Sequence, residues 1–236
     1  MNIMDPLSLL MPLDWLALVL VWVCWLGVGW RIEHPGTRTP SVTLIMVHYR
    51  REWMRQMITR EPRIFDAAIL SNLRQGTAFL ASGCMIAIGG VLALIGNTET
   101  LAGVASELTS EDAPALVWQF KLLIVALFLT HGFLKFVWAN RVFGYCAVVM
   151  AAVPNDITHK LAKSRALQAA EINIRAAWNF NRGLRSIYYA LGTLAWLLGP
   201  YALLVATAAV TFLIWQREFA SRPRQILLAD IPAEES

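Results

Sequence analysis

Four long apolar runs along the chain are each long enough to cross a membrane as a helix. They cover residues 13–30, 77–96, 116–138 and 187–214. About 20 apolar residues span the ~30 Å hydrocarbon core of a bilayer. The fourth run is longer than this and carries Gly199-Pro200 near its middle, where a proline bends a helix. We predict one kinked span there rather than a re-entrant hairpin, because each half of a hairpin has only about 13 residues.

The segments between these runs also have helical periodicity. In 42–57 the apolar residues recur on one face opposite three arginines, which predicts an amphipathic helix in the inner headgroup layer. Glu61-Pro62 ends this helix, and 63–75 predicts a second short helix that leads into the second span. The shorter apolar stretch 142–153 is expected to continue the third helix or to lie along the interface. Another apolar stripe precedes the fourth run and consists of Leu167, Ala170, Ile174, Ala177 and Trp178.

The composition is typical of an integral membrane protein. Of the 236 residues, 57% are apolar and only 15% are charged, and the mean hydropathy is +0.53. These values exclude disordered chains, secreted disulfide scaffolds and nucleic-acid-binding domains. We therefore predict an all-α integral membrane protein, namely a four-helix transmembrane bundle with amphipathic helices at the inner interface. It forms a single membrane domain over residues 1–225, followed by a polar tail over 226–236.

The uneven distribution of charge predicts an orientation. Segments 31–76 and 139–186 carry eight and seven Lys or Arg residues, whereas 97–114 carries four acids and no basic residue. Because short loops rich in Lys and Arg stay in the cytoplasm, we predict that 31–76 and 139–186 are cytoplasmic. The membrane is expected to be the bacterial inner membrane, with both termini outside. One observation argues against an outer C-terminus: three arginines follow the last run directly, Arg217, Arg222 and Arg224.

Small residues form two seams that predict close helix contacts, because helices in lipid associate through tight packing. The fourth run contains Gly192, Ala195, Gly199, Ala202, Ala206 and Ala209 at helical spacing. The second run contributes Gly76, Gly83, Ala87 and Gly90. Either seam suits packing within one bundle, a homo-oligomer or a membrane protein partner, and the sequence leaves these alternatives open.

Polar residues near the predicted inner ends of the spans form the candidate site. The set consists of Arg63, Asp66, Asn72, Lys135, Arg141, Asn181 and Arg185. Ionisable groups at membrane depth are costly, so they mark either functional sites or structural networks. One interpretation is a network that locks the bundle. The other is a cationic pocket for a phosphate or carboxylate, such as that of an anionic lipid headgroup.

The third span contains further ionisable residues. His131 and Lys135 lie one helical turn apart and predict, as an alternative, a path for protons or ions. Lys121 is expected to snorkel to an interface. Motifs of metalloproteases, serine hydrolases and nucleotide-binding proteins are missing from the sequence. We therefore expect no catalytic residues, no metal and no cofactor, and we predict that the chain is not an enzyme.

Four stretches of the sequence carry a family resemblance. They are REWMRQMITREPRIFDAAILSNLRQGTAFLASGCMIAIGG (51–90), FLKFVWANRVFGY (133–145), WNFNRGLRSIYYAL (178–191) and WQREFASR (215–222). With them the chain resembles a family of uncharacterised membrane proteins, domain of unknown function 599, from about residue 6 to about residue 225. Its characteristic positions are matched by Arg63, Asp66, Asn72, Gly89, Gly90, Lys135, Trp138, Arg141, Asn181, Gly183, Arg185 and Arg217. The resemblance implies a four-span membrane protein without an established activity.

Two hypotheses of function follow. The first is a non-enzymatic binding or accessory protein, whose cytoplasmic-side basic cluster engages anionic lipid headgroups or an acidic partner. The alternative is a small oligomeric transporter or channel with His131 and Lys135 on the path. The expected partners are membrane lipids, a second copy of the chain or another membrane protein, and not nucleic acid.

Overall fold

The computed structural model describes residues 10–34, 36, 39–98 and 114–229. In this part of the chain it contains helices joined by turns, in the order α1 (Pro12–Glu33), α2 (Val42–Met57), α3 (Ile64–Gly96), α4 (Ala115–Ala151), α5 (Ala162–Leu194), α6 (Pro200–Trp215) and α7 (Arg222–Ala229). A 3₁₀ turn (Ala195–Leu198) precedes α6, and a π-helical turn (Gln216–Ala220) follows it. The four acids of the predicted outer loop lie outside the described residues.

Four helical stretches are long and apolar enough to cross a membrane: α1, α3, α4 and the stretch Pro200–Ala229. The predicted all-α membrane fold is therefore confirmed. The apolar stretch 142–153 continues the third helix, since α4 runs unbroken to Ala151. The short helix predicted over 63–75 is not separate, because α3 continues from Ile64 through Gly76 to Gly96.

The amphipathic helix predicted over 42–57 is confirmed as α2. Ser41 caps its N-terminus by accepting a hydrogen bond from the Leu44 amide, and the Ser41 hydroxyl donates to the Ile32 carbonyl at 2.8 Å. Part of its apolar face is covered by protein, since Met54 and Met57 are fully buried in a core with residues of α3, α4 and α5. This core explains why the hydrophobic periodicity of α2 is so regular.

The prediction of a single kinked helix over 187–214 is wrong. Helix α5 gives way to the 3₁₀ turn after Leu194, and Gly199 has a φ of 107°. Pro200 then begins α6, as proline suits the first helical position, where a missing N–H costs nothing. The chain reverses at Gly199-Pro200, so α5 and α6 form the hairpin that the sequence left as the less favoured alternative.

Two contacts on either side of the turn identify this hairpin as antiparallel. The hydroxyls of Tyr189 and Thr211 are 2.9 Å apart. One turn closer to the reversal, a Cβ added at Gly192 would lie 3.1 Å from Val210 Cγ2. Residue numbers therefore rise along α5 as they fall along α6. Gly192, from the predicted small-residue seam, allows this close approach of the two helices.

Replacing Gly199 by alanine tests the reversal. With a φ of 107° and a ψ of 170°, Gly199 lies in a backbone region that is essentially restricted to glycine, where an L-residue costs about 1–3 kcal/mol, and we expect a loss of that size in the free energy of unfolding. Chemical unfolding in detergent micelles measures it. Gly27→Ala is the matched control, because Gly27 is helical and has nothing within 4 Å of an added Cβ. Equal stabilities of the two variants would contradict this backbone conformation at Gly199.

The chain forms two compact units. The apolar unit comprises Met1–Trp30, Gly83–Gly132 and Leu184–Trp215, and the basic unit comprises Arg31–Ser82, Phe133–Gly183 and Gln216–Ser236. Among its described residues, the apolar unit has three charged side chains of the Asp, Glu, Lys and Arg types: Asp14, Lys121 and Arg185. All other described Lys and Arg residues belong to the basic unit.

The basic unit resolves the conflict over the C-terminus. Its members include the three arginines after the last apolar run as well as most of the segments predicted to be cytoplasmic. The prediction that the C-terminal segment lies on the other side from those segments is therefore wrong. The physical reason is the reversal at Gly199, which returns the chain from the apolar unit to the basic unit.

Candidate functional site

A cavity of ≈540 Å³ lies in the basic unit, between the first half of α3 and the second half of α4. Its apolar walls include Met57, Leu70, Ala147 and Met150. Its polar groups are Arg63, Ser71, Arg74, Gln75, Asn140 and Asn155. A volume of this size is typical of small-molecule sites, which combine apolar walls with a few polar groups.

Arg63 is held in place by backbone carbonyls. Its Nη1 donates to the Val153 carbonyl at 2.7 Å, and its Nη2 donates to the Pro154 carbonyl at 2.9 Å. Both acceptors follow the C-terminal end of α4, where the helix dipole favours a cation. The Nε of Arg63 is buried and has no partner within the described residues. Arg63 therefore anchors the end of α4 and has little left to offer a ligand.

Arg74 is the cation of this cavity that remains available. Its Nε donates to the Asn140 side-chain oxygen at a long 3.4 Å. Its two terminal nitrogens have no hydrogen bond or ion pair with any residue that the structure describes. A guanidinium with two unused terminal nitrogens is the group best suited to a bidentate contact with a phosphate or carboxylate.

Asp66 does not form an ion pair with Arg63, although the two residues are close in the sequence. Its side chain is fully buried and accepts hydrogen bonds from the Trp53 indole N–H at 2.7 Å and from Arg60. Arg60, which the sequence interpretation passed over, forms the ion pair. Asp66 thus ties the end of α2 and the turn that follows it to the first turn of α3.

Three further predicted site residues lie outside the cavity lining. Asn72 is exposed, and Lys135 is partly buried without a hydrogen bond or ion pair to any described residue. Arg141 is exposed and donates from its Nε to the Tyr145 hydroxyl, and its guanidinium carbon lies 5.8 Å from the centroid of that ring. The structure does not bring these three together with Arg74.

Asn181 belongs to a second, smaller cavity of ≈200 Å³. Its amide donates to the Thr43 hydroxyl at 3.2 Å, and Glu218 accepts hydrogen bonds from both the amide and the hydroxyl of Thr43 at 3.0 Å. Arg50 lines the same cavity, and burial lowers the pKa of its guanidinium. Glu218 lies in the matched stretch 215–222 but was not singled out from the sequence, because a lone acid beside Arg217 reveals no partner.

A bidentate ion pair of the basic unit joins Glu33 and Arg182. The Arg182 Nε and Nη2 donate to the two carboxylate oxygens of Glu33 at 2.8 and 2.6 Å. This fork-to-fork geometry is the strongest arrangement of such a pair. The hydrogen bond to Glu33 raises the pKa of Arg182. The pair links the end of α1 to α5.

Arg185 and His131 belong to the apolar unit rather than to the cavity. Arg185 is buried, and its Nε would lie 3.8 Å from a Cβ added at Gly29. The Nδ1 of His131 lies 2.7 Å from the Ser186 hydroxyl, and the Trp25 ring packs edge-on against the imidazole. Lys135 falls in the basic unit. A transport path through His131 and Lys135 stays a prediction.

The apolar unit also contains a polar cluster that the sequence interpretation missed. The Trp196 indole N–H donates to Asp14 at 2.6 Å. The ammonium of Lys121 lies 5.0 Å from the Trp118 ring and 5.8 Å from the Trp196 ring. Lys121 is 2% exposed, so the expectation that it snorkels to an interface is wrong. The sequence signal that could have revealed this cluster is Asp14, an acid at the start of the first apolar run.

A comparison with known proteins finds a matching family. The family model described as "Protein of unknown function, DUF599" matches residues 16–223. No curated protein and no solved structure matches the chain. The matched range includes every described residue that lines the two cavities, whereas Asp14 of the apolar unit's polar cluster lies just before it. The chain therefore belongs to the DUF599 family, with four helices long and apolar enough to cross a membrane.

Proposed function

We propose that this chain is a non-enzymatic binding protein that holds the phosphate of a membrane lipid in the cavity between α3 and α4. The observation that carries the proposal is Arg74, whose two terminal nitrogens have no partner within the described residues. It lines a cavity that is part polar and part apolar. Such a combination suits an amphiphile better than a freely soluble ion.

The different hydrogen bonding of the two arginines, Arg63 and Arg74, supports this proposal. Arg63 is fixed by carbonyls and contributes a positive field, whereas Arg74 is free to donate hydrogen bonds. Neutral side chains beside Arg74, such as Asn140 and Gln75, supply further hydrogen bonds to phosphate oxygens. The apolar walls accommodate the glycerol backbone or the first part of an acyl chain.

The distribution of charge supports an orientation as part of the proposal. Lys and Arg near span ends stay in the cytoplasm and are attracted to the anionic inner leaflet. With the basic unit on the cytoplasmic side, the cavity opens at headgroup level and the N-terminus lies outside. The C-terminal segment lies with the basic unit. The membrane we propose is the bacterial inner membrane.

Arg74→Gln is expected to weaken lipid retention strongly. A charge-assisted hydrogen bond contributes about 1.5–3 kcal/mol, so the variant should hold a co-purified phospholipid about 10- to 100-fold more weakly. Native mass spectrometry of protein extracted with its own lipids measures this. The matched control is Arg141→Gln, which removes a guanidinium that is also exposed but lies outside the cavity lining.

The fold is checked by the unfolding free energy of both variants, which we expect to equal that of the parent because both side chains are exposed. Undiminished lipid retention in folded Arg74→Gln would rule out the cavity as the lipid site. Loss of retention in both variants to the same extent would point to general surface charge instead.

A further inference from the structure

We infer that the lipid in this cavity has a headgroup without an ammonium group, so that it is a net anionic phospholipid such as phosphatidylglycerol. This rests on the proposed function and specifies its ligand class. The inference comes from what the lining lacks among the described residues. Its thirteen residues are alanine, leucine, methionine, serine, asparagine, glutamine and arginine, and none of them is acidic or aromatic.

An ammonium group in a binding site needs a compensating partner. In proteins the groups that offset its charge are carboxylates and the faces of aromatic rings, whereas neutral amide and hydroxyl oxygens accept its hydrogen bonds without offsetting the charge. The described lining of this cavity offers neither a carboxylate nor an aromatic ring. The charged groups that line it are Arg63 and Arg74, and both repel a second cation. A zwitterionic headgroup therefore finds a charged partner for its phosphate, whereas its ammonium finds no carboxylate and no aromatic ring in the described lining.

The remaining polar groups suit a neutral, hydroxyl-bearing headgroup. Asn140 uses its oxygen to accept from Arg74, and its amide nitrogen has no partner within the described chain. The side chain of Asn155 is likewise without a hydrogen bond to any described residue. Gln75 makes one long contact of 3.5 Å with Ser71. These amides can donate to and accept from headgroup hydroxyls without changing the charge of the site.

The test is competitive retention in nanodiscs made from equal amounts of phosphatidylglycerol and phosphatidylethanolamine with the same acyl chains. The full chain is extracted, and the lipids that remain bound are identified by native mass spectrometry. For the parent we expect phosphatidylglycerol in excess by about tenfold, which corresponds to about 1.4 kcal/mol. Equal retention of the two lipids would overturn the inference and leave the proposed function intact. Retention of neither lipid would overturn the proposed function itself.

A gain-of-binding variant makes the test sharper. Gln75→Glu places a carboxylate in the lining at an exposed position, where the substitution does not disturb a buried contact. We expect it to retain more phosphatidylethanolamine, with the tenfold preference reduced to threefold or less. Gln168→Glu is the control, because Gln168 is exposed on α5 of the same unit and does not line the cavity. An unchanged preference in Gln75→Glu would show that the lining charge does not select the lipid and would overturn the inference.

Discussion

Replacing Asp66 by alanine is expected to lower the free energy of unfolding by about 3 kcal/mol. Asp66 is fully buried and accepts hydrogen bonds from the Trp53 indole and from Arg60. Its removal leaves the indole N–H without an acceptor and Arg60 without its carboxylate. Breaking a buried pair by removing one partner costs about 3–5 kcal/mol. The 38% exposure of the Arg60 side chain places the loss at the lower end.

Chemical unfolding in detergent micelles measures this loss. Asp66→Asn gives an intermediate value, because the amide oxygen still accepts from the Trp53 indole while the charge that holds Arg60 is gone. Glu52→Ala is the control, since its ion pair with Arg55 is at the surface and such pairs contribute less than about 1 kcal/mol. If Asp66→Ala were as stable as Glu52→Ala, the buried network would not stabilise the basic unit.

Gly183→Ala is expected to destabilise the protein by about 1–3 kcal/mol, the usual cost of overpacking. A Cβ at Gly183 would lie 2.9 Å from two ring carbons of Phe136. Phe136 is fully buried and packs edge-on against Phe180 at 5.5 Å, so its ring has little room to move. Gly183 therefore sets how closely α5 approaches α4 in the basic unit.

The same substitution elsewhere provides the comparison. Gly144 is also helical and has nothing within 4 Å of an added Cβ. Gly144→Ala should leave the stability unchanged or raise it by up to about 1 kcal/mol through helix propensity. Unfolding curves of the two variants, recorded side by side, separate packing from propensity. A Gly183→Ala variant that gains stability like Gly144→Ala would mean that Phe136 does not restrict this contact.

Helices with strong periodicity were predictable from the sequence. The 16 residues of α2 coincide with the predicted range, and Ser41 supplies the cap that its residue type suggests. Three of the four apolar runs also lie within single helices. Both signals are local: hydrophobic spacing and capping depend on residues that are near one another along the chain.

The hairpin was not predicted because only apolar residues were counted when the length of each arm was compared with the thickness of the bilayer. Each half of the fourth run is too short to cross alone, yet α5 begins at Ala162 and the second arm continues to Ala229. Both arms continue through charged sequence into the basic unit. Where the protein's own residues cover the charged part of a helix, the length of its apolar part does not limit the length of the arm.

The hydrogen-bond partners of the polar residues also could not be predicted from the sequence. Arg63 bonds to backbone carbonyls, which every residue type possesses, so no sequence signal marks Val153 or Pro154 as acceptors. Asp14 and Trp196 are separated by 182 positions and meet only because the helices pack. Residue types therefore predicted which groups are costly to bury, whereas their partners depend on tertiary contacts.

The reversal at Gly199 also simplifies insertion of the chain into a membrane. With residues 139–186 in the cytoplasm, as we propose, a single span over 187–214 would require the insertion machinery to translocate the three arginines that follow it, and each arginine resists passage through the hydrocarbon core. In the hairpin, residues 162–183 and 216–229 belong to the same unit. Both arms can enter together from one face with Gly199-Pro200 leading. None of the C-terminal arginines then has to cross the bilayer.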